Sequence, residues 1–300
     1  MKIIKVVPSG YCKGVIRAIQ TVKETINKYP NENIYILGML VHNRFVVEAL
    51  QQQNVITLLS DQKNKYQLID EIDSGVIIFT AHGINKSIKQ YAIDKGLIVV
   101  DATCSDVLKI MDIVTDYLNR NYDVIYIGKN NHPESQAIIS LAKQVHLVTN
   151  QDDINKLDIK NEKILITNQT TMSMFETESL IDIILKKYPY AQLAKEVCDA
   201  TKQRQLAVSK LKDIDCLIVV GDVKSNNTAQ LARIGEEIGI KKVVKIEKAS
   251  DLTDYDLSSY NTIAITSGAS TPPYLTKQVI DYLDNKCIDT KVDIERILDL

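Results

Sequence analysis

Residues 98–104 read IVVDATC, a short apolar run followed by a polar loop that carries a cysteine. This pattern is typical of a buried β-strand that ends in a functional loop. Two further cysteines lie in comparable loops, Cys12 in GYCKG and Cys198 in VCDAT. Cys12 and Cys104 are 92 residues apart, and Cys104 and Cys198 are 94 residues apart. The near-equal spacing predicts three repeats.

The segments between these cysteines alternate between strand and helix patterns, which predicts parallel sheets. Strands are predicted at residues 3–7, 34–37, 55–59, 98–100, 124–127, 145–149, 192–197, 216–220 and 243–246 and at GVIIF, KILIT and TIAIT. Helices are predicted around residues 15–26, 45–50, 88–92, 107–118, 138–142, 180–185, 200–211, 231–238 and 274–283.

The predicted fold class is α/β, with three similar parallel-sheet α/β domains in a pseudo-threefold trefoil. Loops at the carboxyl ends of parallel strands gather functional groups, so three such units around one axis would direct their loops to one point. We expect domain boundaries at 1–100, 101–194 and 195–285, with a C-terminal tail at 286–300.

Composition excludes several classes of protein. The 36 basic residues nearly balance the 38 acidic ones, for a net charge of -2, so the chain lacks the basic excess of a nucleic-acid-binding protein. No apolar run approaches the roughly 18 residues of a membrane span, and we expect a cytoplasmic protein. Its five cysteines, an odd number spread over the chain, do not resemble a disulfide framework.

The three repeat cysteines are candidate metal ligands. Converging thiolates repel one another unless a cation neutralises them, and either an iron-sulfur cluster or a zinc ion would serve. Three ligands leave one coordination position open, as in catalytic centres. Cys216, in the apolar run CLIVV, and Cys287, in a charged segment, are interpreted as ordinary buried thiols.

Hydrogen-bond donors recur in the other strand-end loops, which suits an anionic ligand such as phosphate. His146, in an apolar context, is interpreted as structural. Lys and Arg are scarce in these loops, so a phosphate group would bind there without being transferred. The candidate donors are His42, His82, His132, Asn43, Ser225, Asn226, Asn227 and Ser270.

Glu134, in the string NHPE, is a carboxylate in a predicted anion site. On its own it fits a helix N-terminus, where the macrodipole favours negative charge. Beside an open metal position it becomes a candidate proton donor, with Thr170 as a relay.

Together these strings resemble the LytB family of 4-hydroxy-3-methylbut-2-enyl diphosphate reductases. They are GYCKGV, VHNR, AHG, DATC, HPE, QTT, VGDVKSNN and SGAST, and they cover almost the whole chain. The resemblance implies one [4Fe-4S] cluster per chain at the centre of the trefoil, with one open iron and three cysteine ligands, Cys12, Cys104 and Cys198. It also implies a diphosphate site formed by His42, His82, His132, Ser225, Asn226, Asn227 and Ser270.

The implied reaction is a reductive dehydroxylation that gives isopentenyl and dimethylallyl diphosphate, the last step of the methylerythritol phosphate route to isoprenoids. Glu134 and Thr170 would lie at the hydroxyl end of the substrate. A ferredoxin or flavodoxin would supply the electrons.

The sequence departs from the family pattern at two positions and leaves alternatives open. Asn226 stands where many members have serine, and Ser105 follows Cys104 where proline is frequent. The alternatives are a hydro-lyase in which iron acts only as a Lewis acid, a non-enzymatic iron-sulfur sensor or phosphate-binding module, and a zinc protein.

Overall fold

The computed structural model describes residues 1–195, 198–284 and 289–300. Cys287 and the end of the predicted strand 192–197 lie outside the described residues. The chain divides into two compact units. The first contains residues 1–19, 41–55 and 199–300, and the second contains residues 20–40 and 56–198.

The described strands form three four-stranded sheets, and every strand pair whose register is known is parallel. Strands of parallel sheets are covered on both faces and are therefore apolar throughout, as β10 shows with five consecutive buried residues. The strands are β1 (Lys2–Lys5), β2 (Ile34–Leu37), β3 (Val55–Leu58), β4 (Val76–Phe79), β5 (Ile98–Asp101), β6 (Asp123–Ile127), β7 (Val145–Val148), β8 (Ile164–Asn168), β9 (Gln192–Leu193), β10 (Cys216–Val220), β11 (Lys242–Ile246) and β12 (Thr262–Ser267).

The three sheets share one strand order. It is β3-β2-β4-β5 in the first sheet, β7-β6-β8-β9 in the second and β11-β10-β12-β1 in the third. In each case the fourth strand precedes one of the three repeat cysteines in the sequence. The N-terminal strand β1 thus pairs with β12 and completes the sheet of the last repeat, so sheet borders fall one strand away from the sequence repeats.

Helices follow the strands. They are α1 (Lys13–Lys28), α2 (Arg44–Gln52), α3 (Lys65–Asp70), α4 (Lys86–Asp94), α5 (Ser105–Asn119), α6 (Pro133–Ile139), α7 (Gln151–Lys156), α8 (Met174–Lys187), α9 (Asp199–Ser209), α10 (Asn226–Glu237) and α11 (Pro273–Leu283), with 3-10 turns at Ala249–Asp254 and Glu295–Leu298. None of the described helices is long and apolar enough to cross a membrane.

Each sheet packs against one or two apolar clusters. In the first unit, Leu217 and Val219 of β10 meet Val208, Leu231 and Ile234 from the flanking helices. In the second unit, one cluster surrounds Phe79 of β4, and two clusters cover the β6–β9 sheet. Buried sheets of this kind hold the strand-end loops in fixed positions.

The predicted α/β class with parallel sheets is confirmed. The helix predicted around 138–142 begins earlier, at Pro133, because proline suits a first helical turn. The short helices α3 and α7 were not predicted, since they are polar and begin at the capping residues Asn64 and Asn150. The boundaries 1–100, 101–194, 195–285 and 286–300 and the trefoil arrangement stay predictions.

Candidate active site

A buried carboxyl group is the main chemical feature of the second unit. The Glu134 side chain accepts three hydrogen bonds. The Thr170 backbone N–H donates to Oε1 at 2.8 Å, the Thr170 hydroxyl donates to Oε2 at 2.7 Å, and the Tyr126 hydroxyl donates to Oε1 at 3.3 Å. Loop residues after β8 thus meet the first turn of α6.

The environment of Glu134 moves the pKa of its carboxyl group towards neutral pH. Burial raises its pKa to about 7, and the hydrogen bonds from Thr170 and Tyr126 lower the pKa but do not cancel that effect. Desolvation disfavours the charged form of an acid. A carboxyl group with such a pKa is available in both protonation states at neutral pH, as general acid catalysis requires.

Local sequence explains why Glu134 takes this position. His132 caps α6, because its Nδ1 accepts a hydrogen bond from the Glu134 backbone N–H at 3.2 Å, and Pro133 begins the helix. Glu134 consequently lies in the first turn, as the helix-terminus interpretation predicted. In the neutral form of the His132 ring, an accepting Nδ1 places the hydrogen on Nε2.

His82 and Cys104 are connected to the loop of Glu134 through neighbouring residues of the second unit. The rings of His82 and His132 meet edge to face with centroids 5.7 Å apart. The Cys104 backbone N–H donates to the Ala81 carbonyl at 3.0 Å, which holds the cysteine loop against the loop of His82. Within this unit the structure therefore brings together the predicted residues Cys104, His82, His132, Glu134 and Thr170.

In the first unit, the loop after β12 connects several predicted residues. The Ala269 carbonyl accepts from the Cys12 N–H at 3.0 Å, and the Ala269 N–H donates to Asn227 Oδ1 at 3.1 Å. The next residue, Ser270, donates from its hydroxyl to the His42 carbonyl at 2.9 Å. The loops of Cys12, His42, Asn227 and Ser270 are thus joined.

Asn227 presents a buried donor without a partner in the part of the chain that the structure describes. Its side chain is buried, Oδ1 accepts from the Ala269 N–H, and Nδ2 has no hydrogen-bond partner among the described residues. A buried unsatisfied donor costs stability, so Nδ2 is suited to an incoming acceptor. Ser225 caps α10 by accepting from the Thr228 N–H at 3.3 Å, and Asn226 is the first residue of that helix.

Two glycines allow these loops to approach closely. A Cβ at Gly221 or at Gly268 would lie 2.3 Å from the Thr228 hydroxyl oxygen, which is a severe overlap. Gly221 also has a φ of +157°. Only glycine at positions 221 and 268, in the strings VGD and SGAST, allows the ends of β10 and β12 to pack this closely around Thr228.

The electrostatics around His42 favour its neutral form. Burial lowers its pKa, Asp222 raises it and Lys224 lowers it. The Asp222 carboxylate accepts from the Arg44 and Lys224 backbone N–H groups at 2.8 Å and 2.7 Å. That carboxylate therefore orders two loops.

The four described cysteines form no disulfide bonds and fall into two classes. Cys12 and Cys104 begin α1 and α5, since their carbonyls accept from the Ile16 and Leu108 N–H groups, and Cys198 directly precedes α9. Helix N-termini favour negative charge such as a thiolate. Cys216 is enclosed in β10, where burial raises the pKa of its thiol to about 11.

No three His, Cys, Asp or Glu side chains among the described residues are arranged to hold a single metal ion. Thiolates on different irons of a cluster are separated by the cluster itself. The donor set of Cys12, Cys104 and Cys198, all partly exposed thiols next to a helix N-terminus, fits such a group in its chemistry.

The sequence pattern does not single out two residues that contact these sites. Tyr126 lies in the apolar string DVIYI, where nothing distinguishes it from a core residue. Arg204 of α9 is buried and donates to the Gly10 and Ala200 carbonyls at 2.8 Å and 2.9 Å. It ties the loop of Cys12 to the helix that follows Cys198.

A protonatable carboxyl group at the strand ends of a parallel sheet, in the same unit as His82 and His132, is typical of an α/β enzyme. The chain belongs to the LytB family, whose sequence model matches residues 3–284. Enzymes of this family are iron-sulfur proteins.

Curated relatives share the family name and most of the length. The chain is 42% identical over 287 residues to the 4-hydroxy-3-methylbut-2-enyl diphosphate reductase of Bacillus subtilis strain 168, covering 95% of this chain and 91% of that one. It is 44% identical to the enzyme of the same name from Bacillus cereus strain B4264, covering 95% and 90%.

Two solved structures similar to this chain are also described as diphosphate reductases. The (E)-1-hydroxy-2-methyl-but-2-enyl-4-diphosphate reductase of Plasmodium falciparum aligns with a TM-score of 0.88 and 32% identity, covering 97% of this chain and 91% of that one. A second reductase, described as the terminal enzyme of the non-mevalonate pathway, aligns with a TM-score of 0.67 and 27% identity, covering 95% and 100%.

Proposed function

We propose that this chain reduces 4-hydroxy-3-methylbut-2-enyl diphosphate to isopentenyl diphosphate and dimethylallyl diphosphate, as the last step of the methylerythritol phosphate pathway. The observation that carries the proposal is the buried Glu134 carboxyl group, with a pKa of about 7, hydrogen-bonded to the Thr170 hydroxyl. The names of the relatives supply the substrate class.

The conversion breaks the allylic C–O bond and forms one C–H bond. It consumes two electrons and two protons and releases one water. The protein must therefore deliver protons at a defined position and admit electrons one at a time. We assign electron supply to an external ferredoxin or flavodoxin, which is consistent with the lack of a nicotinamide or flavin motif in the sequence.

Cys12, Cys104 and Cys198 would hold one [4Fe-4S] cluster with an open iron. When bound, the cluster supplies one-electron transfer and a Lewis-acidic iron. What supports this ligand set is the position of each thiol beside a helix N-terminus, where backbone N–H groups favour negative charge. Cys216 is excluded as a ligand by its enclosure in β10.

Glu134 would provide a proton through Thr170. The Thr170 hydroxyl donates to Oε2 when Glu134 is charged, and it can turn to accept from Oε2 and donate outward when Glu134 is protonated. The side chain thereby passes a proton without moving away. Protonation of the departing oxygen is the step at which an acid with this pKa is most useful.

Neutral donors would bind the diphosphate. Asn227 Nδ2 has no hydrogen-bond partner among the described residues, an accepting Nδ1 leaves the hydrogen of the neutral His132 ring on Nε2, and His42 is favoured in its neutral form. His82, Ser225, Asn226 and Ser270 complete the predicted set. Uncharged donors hold a polyanion by charge-assisted hydrogen bonds without the lysine and magnesium that activate a phosphate for transfer.

A single experiment separates this function from the alternatives. Protein purified without oxygen is analysed for iron, sulfide and zinc, and is then given substrate and reduced methyl viologen. We expect about four irons and two viologen radicals oxidised per substrate, with both isomeric diphosphates as products. Dehydration without viologen oxidation would indicate a hydro-lyase, and stoichiometric zinc would overturn the cluster.

A further inference from the structure

Tyr126 is a polar residue in the interior of an apolar sheet. It lies on β6, between β7 and β8, and its side chain is fully buried in the same apolar cluster as Val114, Ile138 and Leu165. A buried tyrosine hydroxyl normally has a hydrogen-bond partner. Here the hydroxyl donates to Glu134 Oε1 at 3.3 Å, and it also makes a hydrogen bond with the Ser135 side chain.

The two carboxyl oxygens of Glu134 have different neighbours. Oε1 faces the Thr170 backbone N–H and the Tyr126 hydroxyl, whereas Oε2 faces the Thr170 hydroxyl. A backbone N–H can only donate, so a proton on Oε1 would point at another donor. A threonine hydroxyl can donate or accept, so a proton on Oε2 keeps its hydrogen bond.

We propose that Tyr126 is a positioning residue which, with the Thr170 backbone N–H, occupies Oε1 of Glu134 and thereby confines the transferable proton to Oε2, against the Thr170 hydroxyl. The inference deepens the proposed function, since it rests on Glu134 as the proton source. It specifies which oxygen carries the proton and which residue enforces that choice.

The packing around Tyr126 supports a fixed position for its hydroxyl. A Cβ at Gly128 would lie 2.9 Å from Tyr126 Cε1 and 2.6 Å from the Ser135 hydroxyl oxygen. Glycine at 128 therefore leaves room for the tyrosine ring beside the start of α6. Burial and the neighbouring Glu134 raise the pKa of Tyr126 well above its ordinary value, and a hydrogen bond with Ser135 lowers it without cancelling that effect. The hydroxyl therefore stays a donor at every pH at which the enzyme would act.

Other titratable groups on the surrounding elements differ from Tyr126 in their contacts. β7 carries His146, which pairs with Asp123 at 2.7 Å, and α5 carries Asp106, which lies 3.7 Å from Lys109. The loops carry His132, which caps α6, and His82 beside it. Among the titratable side chains named in this paragraph, Tyr126 makes the hydrogen bond that lowers the pKa of Glu134.

The test is an infrared titration of the Glu134 carboxyl group in the purified holoenzyme without substrate. The acid carbonyl band is assigned by its loss in Glu134→Gln. In Tyr126→Phe the charged form loses one donor, so the midpoint should rise by about half to one pH unit. Tyr188→Phe is the matched control, since it removes a hydroxyl bonded to the Leu157 carbonyl on another part of the unit, and its midpoint should equal the wild-type value.

An unchanged or lowered midpoint in Tyr126→Phe would overturn the proposal. Should that variant fail to fold, 3-fluorotyrosine at position 126 keeps the shape and strengthens the donor, so the midpoint should fall. A midpoint that stays constant or rises with 3-fluorotyrosine would equally overturn the proposal. Because the titration needs no turnover, it remains informative even if Glu134→Gln were fully active and the proton-donor role were wrong.

Discussion

The Thr170 hydroxyl donates to Glu134 Oε2 over 2.7 Å, although 36 residues separate the two in sequence. The contact joins the loop after β8 to the first turn of α6, which follows the neighbouring strand β6. Because both loops leave the same edge of one parallel sheet, the pair is held by the sheet and not by either loop alone. Substitutions at Glu134 and at Thr170 can therefore test what this hydrogen bond contributes.

Glu134→Gln separates binding from chemistry, because the amide keeps the size of the side chain and removes its transferable proton. We expect normal iron content and near-normal substrate affinity, with turnover lower by about 100-fold to 10,000-fold, the range for loss of a positioned general acid. Single-turnover kinetics with a chemical one-electron donor measure this. Glu178→Gln, on the exposed face of α8, is the control, and wild-type turnover in Glu134→Gln would exclude the residue as the proton source.

The pH dependence of turnover follows from the raised pKa of Glu134. Burial raises that pKa to about 7, and the proposed role as proton donor requires the protonated form. Turnover should therefore be constant at lower pH and fall as pH rises above about 7. This fall in turnover, the alkaline limb of the pH profile, is measured with an electron donor whose reduction potential does not depend on pH. In Glu134→Gln the residual activity should lack this limb, and a limb that persists unchanged would assign it to another group.

Thr170→Val should lower turnover by less than Glu134→Gln, because water can replace a hydroxyl relay. Valine keeps the backbone N–H that donates to Oε1 and removes only the hydroxyl at Oε2. Thr170→Ser retains the hydroxyl and should remain close to wild type in the same assay. Equal losses in the valine and serine variants would show that packing, and not the hydroxyl, is what position 170 contributes.

The predictable part of the fold was the part set by periodic burial. Strands such as 124–127 and 216–220 are apolar on both faces, and the structure places them at the centre of parallel sheets. The spacing of the cysteines likewise reflects three sheets with one strand order. The pairing of β1 with β12 was not visible, because strand pairing between the chain's beginning and its end leaves no mark in local sequence.

The candidate site was predictable where polar residues interrupt that pattern. Glu134 and Thr170 occur in the loop strings HPE and QTT, where a core explanation is weak. Tyr126 could not be found in this way, since it lies between two isoleucines in β6. The role of its hydroxyl depends on the hydrogen bond to Glu134, eight residues later in the sequence. Arg204 is similar, because its acceptors are backbone carbonyls that any sequence would provide.

Serine substitutions test the cluster ligands. Cys12→Ser, Cys104→Ser and Cys198→Ser should each lose most of their iron, because each removes one of three thiolates. Cys216→Ser should keep its iron and lose about 1 to 3 kcal/mol of stability, since it introduces a hydroxyl among buried apolar residues of β10. Iron analysis and thermal unfolding measure the two effects.

Cys287→Ser, outside the described residues, should also keep its iron. Equal iron loss in all five serine variants would defeat the ligand assignment. Retention of iron in Cys198→Ser alone would reduce the protein ligands to two and leave the assignment of that residue wrong.

Substrate affinity should depend on the neutral donors of the strand-end loops. His42→Ala and His132→Ala should each weaken binding of inorganic diphosphate by about 10-fold to 100-fold, as expected for loss of a charge-assisted hydrogen bond. The visible spectrum of the cluster should not change. Diphosphate binding as tight as that of the wild type would remove the histidine concerned from the anion site.

The sharpest contrast lies between two adjacent residues of α10. Asn227 has a buried Nδ2 with no partner within residues 1–195, 198–284 and 289–300. Asn227→Asp replaces that donor by a carboxylate that repels an anion, so diphosphate affinity should fall by at least about 10-fold. Asn226→Ser, which restores the residue frequent in the family, should leave diphosphate affinity almost unchanged. Both are measured by calorimetry with inorganic diphosphate at fixed ionic strength. If Asn227→Asp bound diphosphate normally while Asn226→Ser changed the affinity strongly, the contact would have to be assigned to Asn226.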